Sequence, residues 1–215
     1  PNVVGVDIGC GMYTVCLGKG EIDFAKVDEA AHFIPSGGNV WEGRIERFDL
    51  TKLKCYRKLK DTRRLERSLG TLGGGNHFIE IDEASDGNKY LIIHSGSRNL
   101  GKQVADYYQN LAIDLDKGLE TYFVAREELI KTYKEQGRRK EIQQALKELE
   151  KTRYENEPQN PEDLCYLYGK YMEDYLFDVE ICQNFAKRNR EKMAEIILER
   201  TGMTGNNAFH TVHNY

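Results

Sequence analysis

The sequence predicts an α+β protein in which strands occupy the first hundred residues and helices the second. Three observations predict it. Runs such as Tyr13–Leu17 and Tyr90–Ile93 are short and largely apolar and are punctuated by glycine turns. From Leu100 to Arg200 glycine almost vanishes and apolar residues recur at helical spacing. The chain has 215 residues, 40% hydrophobic and 31% charged, which is enough for a real core in one large domain or in one domain plus an appendage.

The elements follow in order. Residues 3 to 8 read as a buried strand that ends in the turn Asp7-Ile8-Gly9-Cys10-Gly11, where glycines permit positive φ. Strand continues through Tyr13 to Leu17, and His32-Phe33-Ile34 leads into a tight loop at Pro35-Ser36-Gly37-Gly38. Residues 51 to 69 read as a helix with Leu53, Tyr56 and Leu59 on one face and eight bases against two acids. Gly70 to Gly75 breaks any helix, and strands follow at Phe78–Ile81 and Tyr90–Ile93. The helical half is divided near Pro158 and Pro161. Its second long helix runs from Pro161 to Arg200, with Leu164, Leu167, Tyr168, Tyr171, Tyr175 and Val179 as a buried stripe, and the Lys/Glu-dense stretch from Lys131 to Glu155 reads as a protruding helix pair.

Composition excludes several classes. With 31 bases and 35 acids the net charge is −4, so any nucleic-acid surface must be local. The longest apolar runs are a few residues, against roughly 20 for a membrane span. Five cysteines, odd in number and without a C-x-x-C pair, argue against a disulfide framework or a zinc ribbon and make a reducing, cytoplasmic setting the default. The chain opens at Pro1 directly into Val3-Val4-Gly5-Val6 and stops at His213-Asn214-Tyr215, which reads as a portion of a larger domain.

The chemistry concentrates at strand ends. His77 follows three glycines, His94 closes an apolar strand, and Asp7 and Cys10 end another. Rigid strand ends beside glycine turns are good launch points for converging ligands, and Asp7, Cys10, His77, His94 and His213 make an O, S and N donor set suited to Zn²⁺ or Mn²⁺. Each residue alone has an ordinary reading: Cys10 as a small core residue, His94 as a hydrogen-bonded strand end, Asp7 as a turn cap. His32 reads as structural. The loop Gly70–Asn76 has the composition of a phosphate cradle but is followed by no Gly-Lys-Ser/Thr, and Ser95-Gly96-Ser97-Arg98 is a second anion candidate.

Four motifs, in order, resemble the RtcB family: Gly5-Val6-Asp7-Ile8-Gly9-Cys10-Gly11-Met12, the stretch from Leu69 through Gly73-Gly74-Gly75-Asn76-His77 to Glu80, His94-Ser95-Gly96-Ser97-Arg98, and His213-Asn214-Tyr215. RtcB proteins are GTP-dependent RNA ligases of tRNA splicing and RNA repair. The resemblance spans essentially the whole chain and implies the same mixed α+β fold. It makes residues 1–215 part of one catalytic domain, with a strand-rich metal and phosphate region at 1–100, a helical region at 101–200 and a return to the metal site at 201–215. It implies two Mn²⁺ ions, one held by Asp7, Cys10 and His77 and the other by Cys10, His94 and His213, with Cys10 as a bridging thiolate. It also implies a GTP site lined by Asn76, His77, Phe78, Ile79, Glu80, His213 and Asn214, and contact of Arg98 and Arg64 with substrate phosphate. The implied reaction joins a 3′-phosphate or 2′,3′-cyclic phosphate RNA end to a 5′-hydroxyl end through a guanylylated histidine. The implied partners are such RNAs, tRNA among them, and an archease-type activator, in the cytoplasm and without a membrane.

Family members are longer at both ends, and the nucleophilic histidine lies in the part that follows His213; His210 does not match its motif. Two other readings remain at this point. One is a non-catalytic metal- and RNA-binding module that needs a partner to supply the nucleophile. The other is a metal-dependent phosphoesterase acting on cyclic phosphates.

Overall fold

In a computed structural model, residue 5 and residues 7–214 are described. The strand expected over residues 3–8 falls largely on Val3, Val4 and Val6, outside that set, while Asp7–Gly9 forms a bend and turn. The first described strand, β1 (Gly11–Gly18), is longer than its apolar run and lies at the middle of an antiparallel sheet. After it come a helix α1 (Phe24–Phe33), a short helix α2 (Thr62–Glu66), and strands β2 (Phe78–Glu83) and β3 (Lys89–Ser95). Helices α3 (Asn99–Asp116), α4 (Leu119–Glu135), α5 (Ile142–Glu155) and α6 (Gly169–Thr201) precede a last strand β4 (Asn206–Val212). The sheet order is β2-β3-β1-β4. This is the α+β architecture expected from the sequence. Among the described residues no helix is long and apolar enough to cross a membrane.

The register decides where chemistry can occur. Gly11 pairs with both Ser95 and Val212, and Phe78 pairs with His94. The starts of β1 and β2 and the ends of β3 and β4 therefore meet at one end of the sheet, because antiparallel neighbours present opposite termini on the same side. Gly11 has to be glycine here: a Cβ would collide with the Thr211 carbonyl and press on Val212. Gly11→Ala is expected to destabilise the fold by about 1–3 kcal/mol through overpacking, a loss readable by urea denaturation.

Helix α6, about 50 Å long at 1.5 Å per residue, passes through two hydrophobic clusters. Its first half contributes Tyr175, Val179, Cys182 and Phe185 to a core shared with α3. Its second half contributes Met193, Ala194 and Ile197 to a core against Val15, Leu91 and Ile93 of the sheet and Ala30 of α1. Fully burying each of the Val, Leu, Ile and Met side chains among these stabilises by about 1.5–3 kcal/mol. α4 and α5 pack on each other as the Lys/Glu-dense pair.

Two helical expectations are corrected. Residues 51–69 do not form one helix but two 3₁₀ turns, Leu50–Lys52 and Tyr56–Lys58, and then α2. The N–H groups a continuous helix would use are taken by tertiary partners. Those of Lys54 and Cys55 donate to the buried Asp178 carboxylate at 2.7 and 3.0 Å, and that of Lys60 donates to Gln103 Oε1 at 2.7 Å. Asp61, at φ 48°, then resets the chain for α2. Likewise no helix begins at Pro161. A 3₁₀ turn at Glu162–Leu164 and extended chain precede α6, so Leu164 and Tyr168 are exposed, whereas Leu167, Tyr175 and Val179 are buried as expected. Helix α1 and strand β4 escaped the sequence reading.

Candidate metal centre

The converging strand ends carry the expected ligands. Cys10 immediately precedes β1, His77 precedes β2, His94 is the penultimate residue of β3, and His213 follows β4. Cys10 Sγ lies 3.5 Å from His77 Nε2 and 3.4 Å from His94 Nε2. The ligating atoms of these three residues all fall within 4.8 Å of one another. The set extends on both sides: Asp7 Oδ2 is 3.1 Å from His77 Nε2, and His213 Nε2 is 3.2 Å from His94 Nε2. Cys10 is thus central, with Asp7 and His77 on one flank and His94 and His213 on the other.

The ring orientations favour a cation. His77 Nδ1 faces the Leu72 carbonyl at 3.0 Å and His94 Nδ1 faces the Asn76 carbonyl at 2.9 Å. A carbonyl only accepts, so each Nδ1 carries the proton, and a neutral ring then presents its Nε2 lone pair to the cluster. Metal-ligating histidines are oriented this way by carbonyl partners. Burial, with His77 and His213 nearby, draws the His94 pKa down and keeps its lone pair available; the Asn76 carbonyl opposes this. Buried Asp7 Oδ1 has no hydrogen-bond partner among the described residues. Burial, reinforced by the adjacent Asp7, pushes the Cys10 thiol up to about 12; a bound divalent cation reverses that balance and deprotonates a coordinating thiol. Lone pairs, a sulfur and an orphaned carboxylate oxygen crowded together fit a borderline transition ion.

The backbone fixes this crowding. The N–H groups of His213 and Asn214 donate to the Cys10 carbonyl at 3.1 and 3.3 Å, and that of Gly9 donates to the Asn214 carbonyl at 2.8 Å. Asn214 Nδ2 donates to the Asp7 carbonyl at 3.0 Å. Gly96 leaves room for Asp7, since a Cβ there would strike its carboxylate.

Two residues missed by the sequence reading hold the centre from α6. Asn189, fully buried, accepts from the N–H groups of Gly70 and Thr71 at 2.7 and 3.0 Å. Its amide donates to the Thr71 carbonyl, Ser95 Oγ and the Gly96 carbonyl at 3.1 to 3.2 Å. Arg190 Nη1 donates to the carbonyls of Gly9 and Ser95, both at 2.7 Å. Both sit where α6 crosses from one core to the other. The signal was present: they continue the buried stripe Cys182, Phe185, Ala186 toward Met193, and polar residues on such a stripe need partners.

The remaining expected residues are placed as follows. The Phe78 ring contacts His94 edge-on with centroids 5.1 Å apart, Ile79 is half-buried against the sheet core, and Asn76 and Glu80 are exposed. Arg98 lines an open pocket of about 250 Å³ with Asp7, His77, Asn99 and Lys102. Its backbone is strained, at φ 60° and ψ −151°, a conformation costing about 1–3 kcal/mol. Its Nε donates to Thr71 Oγ1 at 2.9 Å and its Nη2 to the Gly37 carbonyl at 2.6 Å. Arg64 Nη2 donates to the next carbonyl, Gly38, at 2.5 Å. The loop Pro35–Gly38 lies on the glycine-rich loop, with the Gly37 N–H on the Gly73 carbonyl and the Leu72 N–H on the Pro35 carbonyl. A cavity of about 560 Å³ between the end of α3 and the α4–α5 pair is lined by none of the five residues expected as ligands.

Comparison with known proteins gives the family. The family model "RtcB: tRNA-splicing ligase RtcB" matches residues 42–215. The chain belongs to the RtcB family. The RNA-splicing ligase RtcB of Escherichia coli K12 is 28% identical to this RtcB-family chain over 224 residues, covering 92% of the chain and 46% of the relative. The tRNA-splicing ligase RtcB of Aeropyrum pernix is 40% identical over 160 residues, covering 50% of the chain and 33% of the relative. This member thus spans about half the length, or less, of these curated relatives.

Proposed function

We propose that this chain is the metal-binding part of a single catalytic domain of an RNA ligase, one that joins RNA 3′-phosphate or 2′,3′-cyclic phosphate ends to 5′-hydroxyl ends with GTP and Mn²⁺. The observation that carries the reading is the cluster centred on Cys10, with both neighbouring imidazoles held Nδ1–H outward on carbonyls. Asp7, Cys10 and His77 would hold one ion and Cys10, His94 and His213 a second. Such ions polarise phosphoryl oxygens and neutralise charge that develops on them. Asn76, Phe78, Ile79, Glu80 and Asn214 would border the guanine nucleotide. Arg98, beside Asp7 and His77, would meet a phosphate close to the ions, with Arg64 behind it. Cytoplasmic tRNA or cleaved RNA would be the substrate, and an archease-type protein an activator.

A second reading is a module that receives its nucleophile from a partner chain. It is favoured by where the other histidines are engaged. His32 is exposed, with its ring against the Asp28 carbonyl, and His210 stacks on Tyr13 with Nε2 on Glu191 at 3.1 Å. Neither faces the cluster. In the full-length protein, His210→Ala is expected to leave the covalent GMP adduct formed with labelled GTP and Mn²⁺ intact on denaturing electrophoresis, and a cyclic-phosphate RNA is expected to be joined. Loss of the adduct in that variant would make His210 the nucleophile, hydrolysis without joining would favour a phosphoesterase, and an adduct seen only with an added partner chain would favour the second reading.

A further inference from the structure

The segment from Lys52 to Arg67 carries a surplus of bases in a chain of net charge −4, and its fold explains what a helix would not. The segment is tied to the metal pocket at two independent points. At one, Gln103 on α3 clamps Lys60: its Oε1 accepts the Lys60 N–H at 2.7 Å and its Nε2 donates to the Lys60 carbonyl at 3.2 Å. The preceding residue, Lys102, lines the pocket with Asp7, His77 and Arg98. At the other, Arg64 holds the Gly38 carbonyl while Arg98 holds the Gly37 carbonyl, so neighbouring peptide groups bridge the segment to the site. Between and beside these anchors, Arg57, Lys58, Lys60 and Arg63 are exposed, and none is ion-paired to an acid among the described residues. The cations of the α4–α5 pair are instead interspersed with glutamates, and there Arg138 is paired with Glu141.

Unpaired cations beside a phosphoryl-transfer site suit a polyanion with regularly spaced charges. We propose that Arg57, Lys58, Lys60 and Arg63 hold the sugar-phosphate backbone of a single RNA strand a few nucleotides from the end lying in the Asp7–Arg98 pocket, with Gln103 as the positioning residue that sets Lys60. The proposal rests on the reading of this site as RNA-joining and adds the path that the strand takes away from it. Contacts of this kind position the strand and carry no sequence information.

The test uses the full-length protein and single-stranded RNA with a cyclic-phosphate end, by filter binding across a salt series. Arg57→Gln, Lys58→Gln and Arg63→Gln together are expected to reduce the log–log salt slope by about one per lost phosphate contact, roughly two to three in all. The control variant Lys134→Gln, Lys140→Gln and Lys147→Gln, on the helix pair and the turn that joins its helices, is expected to keep the wild-type slope. Photocrosslinks from a thiouridine placed a few nucleotides from the RNA end are expected within residues 52–67, and this holds without relying on any variant. An unchanged slope in the first variant, an equal fall in the control, or crosslinks confined elsewhere would each overturn the path. Ligation by the unmodified protein is scored separately. Joining with an unchanged slope rejects the path alone, whereas a reduced slope without joining rejects the ligase reading and keeps the surface.

Discussion

Replacing Cys10 by alanine is expected to empty the proposed centre of both its proposed ions. Cys10 Sγ is the one ligating atom within 3.5 Å of an imidazole from each flank, 3.5 Å from His77 and 3.4 Å from His94. Partners of metal ligands are themselves worth about 10- to 100-fold in affinity, so losing the central donor should cost more than about 100-fold. The thiol is held protonated by burial and by Asp7, which means that metal uptake displaces its proton and that serine, a far weaker acid, should not restore binding. Metal analysis of the full-length protein after gel filtration in Mn²⁺ decides it. Two ions per chain in the Cys10→Ala protein would show that the sulfur does not bridge.

Asn189→Ala is expected to be the most destabilising single truncation on α6, by about 3–5 kcal/mol. The amide of Asn189 satisfies two N–H groups, two carbonyls and a hydroxyl in a region closed to solvent. Alanine leaves all five without that partner, and buried polar groups left unsatisfied cost about 1–3 kcal/mol each before water relieves some of them. The corresponding fall in melting temperature is about 10 °C for a domain of this size. Lys187→Ala, exposed two residues earlier on the same helix, should stay within about 0.5 kcal/mol. Urea denaturation of the two variants side by side gives the contrast, and equal midpoints would mean that the glycine loop is held by its own contacts. Because Asn189 joins the loop before His77 to the strand end after His94, its loss should also weaken metal binding, though less than the loss of Cys10.

How much of this was legible in the chain differs between fold and site. Strands β2 and β3 and the helical half were readable because local periodicity reports burial directly: Leu91 and Ile93 alternate inward on β3, and Val104, Tyr108 and Leu115 recur along α3. The five residues proposed as metal ligands could be singled out because His, Cys and Asp next to glycine turns at strand ends have few purely structural reasons to recur together, and because their motifs match a known family in order. Strand β4 was not, since its residues are mostly exposed on the sheet edge and none of them is fully buried.

What the chain alone established was composition, the division into a strand-rich and a helical half, and which side chains are candidates for metal binding. Only the tertiary structure decided that these side chains meet, through the register Gly11–Ser95, Gly11–Val212 and Phe78–His94, which no local pattern encodes. It also decided that residues 51–69 are broken turns and not a helix. Propensity there favoured helix by tenths of a kcal/mol per residue, while the carboxylate of Asp178 and the amide of Gln103, 124 and 43 positions away from the N–H groups they bind, offered hydrogen bonds worth more. Asn189 and Arg190 belong to the same class. Their roles depend on which backbone groups the folded chain leaves unpaired at the end of the sheet, and those exist only once β1, β3 and the glycine loop have come together around α6.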